Sequence, residues 1–148
     1  MDRQIQAAKY FTEGYNCAQA VILAFSDLLE MDEKTCARIS SSFGGGMGRM
    51  REVCGAVSGM LMVAGLLYGY DGPDEGEIKK EHYTRVQQLA ERFREGAGSI
   101  ICREILKNPP SDPNPSPRTE EYYRQRPCAR MVTLAVGILE AYMQEHPL

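Results

Sequence analysis

The stretch Val53-Cys54-Gly55-Ala56-Val57-Ser58-Gly59-Met60-Leu61-Met62-Val63-Ala64-Gly65-Leu66-Leu67-Tyr68-Gly69-Tyr70 is apolar on every side and rich in glycine and alanine. A surface helix shows one apolar stripe, whereas a helix apolar all round is the central member of a bundle. Residues 53–70 are roughly the minimum length for a bilayer span. They stand alone, however, contain Ser58 and several glycines, and follow directly on Arg49, Arg51 and Glu52. The reading is a buried central helix. Gly55 and Gly59 lie one turn apart on one of its faces, and each costs about 1 kcal/mol relative to alanine inside a helix. Something must approach the backbone closely there, and tight helix packing is the first answer.

Apolar spacing is helical on both sides of this stretch. Ile5, Ala8 and Phe11 share a face of a first helix that Gly14 ends. A second is expected from Asn16 to about Glu30, with Cys17, Val21, Phe25 and Leu28 on one side. Asp32 is a good N-cap for a third, carrying Cys36, Ile39 and Phe43 in register. The run Gly44-Gly45-Gly46-Met47-Gly48 interrupts the pattern. After the turn Tyr70-Asp71-Gly72-Pro73-Asp74, a long amphipathic helix is expected to bury Tyr83, Val86, Ala90 and Phe93. Its charged face would hold Lys79, Lys80, Glu81, Arg85, Glu91 and Arg92.

Ser99 is placed to cap a short helix through Leu106. Five prolines at 109–117 predict a surface loop over about 108–118, and a last helix from Pro127 would bury Met131, Leu134, Ile138 and Tyr142. No alternating strand pattern and no repeat is visible. The expectation is an all-α, single-domain helical bundle spanning 1–148.

A chain of 148 residues with 43% hydrophobic and 25% charged residues buries a core without staples. Net charge is −3 with no Lys/Arg block, so neither nucleic acid nor a membrane is an expected partner. The start, Met1-Asp2-Arg3-Gln4-Ile5-Gln6, lacks the order of a secretory signal, which sets a cytoplasmic expectation. Thiols are kept reduced there, and five cysteines then point to metal ligation or redox chemistry before structural disulfides.

The place of each cysteine in its helix is informative. Cys17 follows the N-cap Asn16, Cys128 follows Pro127, Cys102 lies three residues after Ser99, and Cys54 opens the central helix. Orphan N–H groups make helix starts electropositive, which favours the thiolate that attacks disulfides and binds metals. The alternative is four separately packed cysteines. Cys36, in register with Ile39 and Phe43, reads as a core residue.

Other signatures are missing. There is no C-x-x-C, no C-x-x-C-H and no Gly-Lys-Ser/Thr ending to the glycine run. His82 and His146 read as solvated, and no carboxylate pair is singled out.

The hexapeptide Cys54-Gly55-Ala56-Val57-Ser58-Gly59 matches a CGAxxG motif, with Cys17 before it and Cys102 and Cys128 after it. With the glycine-rich run 43–49, this pattern resembles the C_GCAxxG_C_C family of redox-active proteins over nearly the whole chain. Cys36 is extra to it. The resemblance implies redox activity without a defined reaction, and a related domain in split-Soret cytochromes favours an iron–sulfur centre.

Three functions follow as expectations. In the first, Cys17, Cys54, Cys102 and Cys128 bind an iron–sulfur cluster for electron transfer, zinc being the structural substitute. In the second, the same residues are the redox thiols of a disulfide-exchange oxidoreductase or sensor with no cofactor. In the third, they pack within a binding or assembly module. The first two imply a redox partner protein, and an oligomer is compatible with all three.

Overall fold

The computed structural model describes residues 2–73 and 76–148, so Asp74 of the expected turn lies outside them. It is an all-helical single body with eight α-helices among the described residues. They are α1 (Arg3–Thr12), α2 (Cys17–Leu23), α3 (Glu33–Ser40), α4 (Gly55–Tyr68), α5 (Gly76–Ala97), α6 (Cys102–Ile105), α7 (Glu120–Gln125) and α8 (Cys128–Glu145). No strand forms among these residues. A single antiparallel bridge joins Val53 to Ile101.

The all-round apolar helix is central, as its composition demands. Ala56, Val57, Met60, Val63 and Ala64 are fully enclosed, and α4 packs against α2, α5 and α8. Only Leu66, near its outer end, emerges. No helix of the described residues is long and apolar enough to cross a membrane. The two motif glycines permit the tightest packing. A methyl on Gly59 would stand 2.7 Å from the Ala18 carbonyl oxygen, and one on Gly55 would stand 2.8 Å from that of Phe43. The backbones of α2 and α4 therefore touch almost directly.

Several faces differ from the sequence reading, each for a visible reason. Helix α1 buries Ala7 and Phe11 while Ile5 is 64% exposed. Small Ala7 suits the flat contact with α8, where Gln4 Nε2 also donates to the Thr133 carbonyl. Helix α2 stops at Leu23 because Arg3 takes the Ala24 carbonyl at 2.8 Å, so Leu28 N–H bonds Phe25 in a tighter 3₁₀ turn. In α3 the inward neighbour of Cys36 is Ser40, whose hydroxyl is satisfied by the Cys36 carbonyl at 2.7 Å, and Ile39 faces out.

Phe93 is buried in α5 as expected, but the rest of the buried face is displaced by one residue, to His82, Arg85 and Leu89. Arg85 belongs inside rather than on the charged face. Its guanidinium bonds Tyr142 Oη at 2.7 Å, the Tyr68 carbonyl and His82 Nδ1, and it lies over the Tyr68 ring. A cation so fully supplied with acceptors and π-faces can be buried. His82 is buried with it rather than solvated, and desolvation and the Arg85 charge both lower its pKa. Tyr83 consequently turns outward, its hydroxyl bonded to that of Tyr70.

In α8, wedged among α1, α2, α4 and α5, Val132, Ala135, Val136 and Leu139 join Met131 and Tyr142 inside. Leu134 and Ile138 are half-buried.

Gly59→Ala should destabilise the fold by about 1–3 kcal/mol, because the added methyl meets backbone that cannot yield. Gly65→Ala, where a methyl meets nothing within 4 Å, should instead be neutral or stabilise by up to about 1 kcal/mol. Urea unfolding of both variants checks the contrast; equal effects would refute the close-contact argument.

Candidate thiol site

Four of the five cysteines line one cavity. Each arrives on a different element. Cys17 is the first residue of α2, behind a full capping box in which Asn16 Oδ1 accepts from Gln19 N–H and Gln19 Oε1 accepts from Asn16 N–H. Cys54 is the N-cap of α4, Cys102 the first residue of α6 and Cys128 the first residue of α8. The expected cap of α6 is displaced: Ile101 occupies the cap position, while Ser99 Oγ accepts the Ile101 N–H and donates to Glu104.

Packing explains the convergence. The Gly55 contact sets the start of α4 beside the start of α2, since a methyl on Gly55 would stand 3.2 Å from Cys17 Cβ. The Val53–Ile101 bridge then fixes Cys102 beside Cys54. Cys54 N–H donates to the Ile100 carbonyl at 2.8 Å, and Cys102 N–H donates to that of Glu52 at 2.6 Å. The glycine-rich loop closes over this pairing. Gly46 has a φ of 70°, and a methyl there would stand 2.7 Å from Cys102 Cβ. Only glycine serves at that point.

The thiols are not equivalent. Cys54 and Cys102 are each only 6% exposed, whereas Cys17 and Cys128 are half-buried. Cys17 and Cys128 are neighbours whose thiols shift each other's pKa in opposite directions. Their interaction, aided by the charges of Arg126, Arg118 and Arg51 and opposed by burial, holds Cys128 down at about 7. It raises Cys17 well above the ordinary thiol value, and burial adds to the rise. Burial pushes Cys54 up to about 12, against the pull of the Ala56 and Val57 N–H groups. Burial also raises Cys102, although Arg51 Nη1 lies 3.7 Å from its sulfur and draws it down.

The expectation that a helix start by itself favours thiolate does not hold: Cys128 alone is lowered, and by Cys17 and three arginines rather than by backbone N–H groups. At the other three positions the orphan N–H groups do not offset desolvation or, at Cys17, the effect of Cys128.

Sequence reasoning missed the cationic rim. Arg51, Arg118 and Arg126 line the cavity together with Phe11 and Tyr122. Arg118 lies over the rings of Phe11 and Tyr122 and donates to the Phe11 and Tyr15 carbonyls. The proline-rich loop is exposed but tethered, by Arg49 to the Asp112 carbonyl and by Arg51 to that of Pro110. Helix α7, unforeseen in the sequence, supplies Tyr122. One signal was available: Arg126 stands two residues before Cys128.

Four thiols are a donor set suited to an iron–sulfur cluster or zinc. Among the described residues, no three Cys, His, Asp or Glu side chains converge as ligands of one metal ion. The donor type fits; the convergence does not.

Cys36 stands apart from the cavity, fully enclosed in the core with its thiol 3.9 Å from the Met31 carbonyl. Cys36→Ala should cost about 1–2 kcal/mol in chemical denaturation and leave the reactivity of the other thiols in place. Loss of that reactivity would place Cys36 in the site. For Cys128, alkylation should rise about tenfold per pH unit up to about 7 and then level, because only the thiolate attacks. Cys17→Ala removes the neighbouring thiol and should move the midpoint upward. A wild-type midpoint at the ordinary thiol value would contradict the interaction.

No curated protein and no solved structure matches this chain. A family model described as "Putative redox-active protein (C_GCAxxG_C_C)" matches residues 15–142, a span that includes all four cavity cysteines. The chain belongs to the C_GCAxxG_C_C family.

Proposed function

We propose that the chain is a thiol–disulfide oxidoreductase in which Cys128 attacks and Cys17 resolves. One observation carries this reading: Cys17 and Cys128 are the two cavity cysteines that keep partial exposure, and each shifts the pKa of the other. A nucleophilic thiol needs thiolate character near ambient pH together with access, and Cys128 combines both. Its thiolate attacks one sulfur of a disulfide on a redox partner, and the departing thiolate takes a proton. Cys17 then loses its proton and attacks Cys128 Sγ, releasing the partner's second thiol. Two electrons and two protons pass to the partner, and a Cys17–Cys128 disulfide remains. Cys54 and Cys102, buried and held protonated, line the cavity without joining the exchange.

A second reading keeps all four cysteines as ligands of an iron–sulfur cluster that transfers electrons. The observation in its favour is that four thiols from four segments line one cavity beside three arginines, whose charge would offset the thiolates. It requires the sulfurs to draw together on loading. Zinc on the same ligands would make the site structural.

The two readings need different numbers of cysteines. Treatment of the reduced protein with a neutral disulfide should consume two thiols per chain, and peptide mapping should recover Cys17 joined to Cys128. Cys128→Ser should abolish this, and Cys54→Ser should leave it. If anaerobically purified protein instead holds iron and acid-labile sulfide, lost on replacing any of the four, the cluster reading replaces the exchange reading.

A further inference from the structure

Three guanidinium groups line the thiol cavity, and no carboxylate does among the described residues. None of Arg51, Arg118 and Arg126 is in an ion pair among those residues. Arg118 donates to carbonyls and Tyr123 Oη, and Arg126 donates to Ser116 Oγ, all neutral acceptors. Arg51 is the extreme case. It is 3% exposed and sits at a positive φ of 62°. Its Nε donates to Pro110, its Nη1 lies against Cys102 Sγ, and its Nη2 is buried with no acceptor among the described residues.

A buried charged donor left unpaired is costly, and proteins retain such groups where something else completes them. Three cations line one cavity that no carboxylate lines among the described residues, and one of them keeps a buried donor without an acceptor, so the missing partner is an anion. The cavity volume of about 60 Å³ limits its size. At roughly 10–15 Å³ per water-sized occupant, about four to six heavy atoms fit. That suits a single oxyanion group and excludes a folded partner from the interior.

We infer that the cavity takes a small oxyanion group beside Arg51, and that the electrophile of the dithiol is a small anionic sulfur compound bearing it. This rests on the exchange reading and names its substrate class. Tetrathionate is a suitable probe. The Cys128 thiolate attacks one of its two central sulfurs, the central S–S bond breaks, and thiosulfate leaves toward the guanidinium groups. Cys17, deprotonated, attacks Cys128 Sγ and displaces a second thiosulfate. Two thiols and one tetrathionate give one disulfide, two thiosulfates and two protons, with two electrons passing to tetrathionate.

The test compares oxidation by tetrathionate with oxidation by the neutral bis(2-hydroxyethyl) disulfide, above pH 8 so that loss of an arginine does not limit the thiolate. In Arg51→Gln the ratio of the two rates should fall about tenfold, as for loss of one charged hydrogen bond. Sulfate, exchanged against chloride at constant ionic strength, should slow tetrathionate saturably in the wild-type chain. An unchanged ratio in a variant of native circular dichroism, or no saturation by sulfate, overturns the inference. If Arg51→Gln does not fold, the same ratio in Arg126→Gln and the wild-type sulfate competition decide. If neither oxidant joins Cys17 to Cys128, the exchange reading fails. Calorimetric titration of sulfate into Cys128→Ser then decides the anion site alone, binding upholding it and its absence removing it.

Discussion

The near-contact of two helix backbones, α2 and α4, is the constraint on which the rest of the molecule depends. It exists because Gly55 and Gly59 present no side chain toward Ala18 and its neighbours. Glycine weakens a helix, so α4 must be held by burial, and its apolar character all round supplies that on its remaining sides. The same contact sets the distance between the starts of the two helices, where Cys17 and Cys54 stand. A packing requirement and a chemical one are thus met by a single hexapeptide. The bridge between 53 and 101 extends the arrangement to Cys102, and the docking of α8 on α2 and α4 extends it to Cys128.

Four sulfurs of one chemical kind become unequal through competition between burial and charge. Desolvation acts on all of them and is the larger influence at Cys54 and Cys102. At Cys128 the Cys17 thiol and three guanidinium groups outweigh it. Those guanidiniums come from the glycine-rich loop, from the end of the proline-rich loop and from the turn before α8. Elements that the bundle does not need for its core therefore add to the effect of Cys17, on α2, in lowering the Cys128 pKa. This gives the tethering of the loop through Arg49 and Arg51 a chemical consequence, because slack there would withdraw charge from the cavity.

The fold was legible where composition leaves one physical solution. Residues 53–70 could only be central or transmembrane, and their charged flank favoured the former. Asp32 and Asn16 cap as read, since a short polar side chain before an apolar-periodic run has few other uses. The four cysteines were legible as helix-start residues, and the structure places all four on one cavity. Faces were less legible. In α5 the apolar count favoured Tyr83 and Val86, but a cation with acceptors and aromatic faces waiting for it entered instead, displacing most of that face by one residue. Partners distant in sequence decided that outcome: Tyr142 lies 57 residues from Arg85. The arginine rim was hidden for the same reason, since Arg51, Arg118 and Arg126 share no local pattern.

The wide separation of the cysteines has a thermodynamic side. In a C-x-x-C motif the reactive pair closes a short loop, and its oxidation constrains the chain little. A bond between Cys17 and Cys128 would close a loop of roughly a hundred residues, which in the chain-entropy view stabilises the folded state by up to about 4–5 kcal/mol. On the exchange reading, the oxidised form is then the more stable one, and donating electrons tightens the protein. The converse also holds. Because native packing alone brings α2 and α8 together, the folded state itself supplies the effective concentration of one thiol at the other. Loosening the Gly55–Gly59 contact would weaken the pair as well as the core. Reactivity and stability in this chain are set by the same few ångströms of backbone.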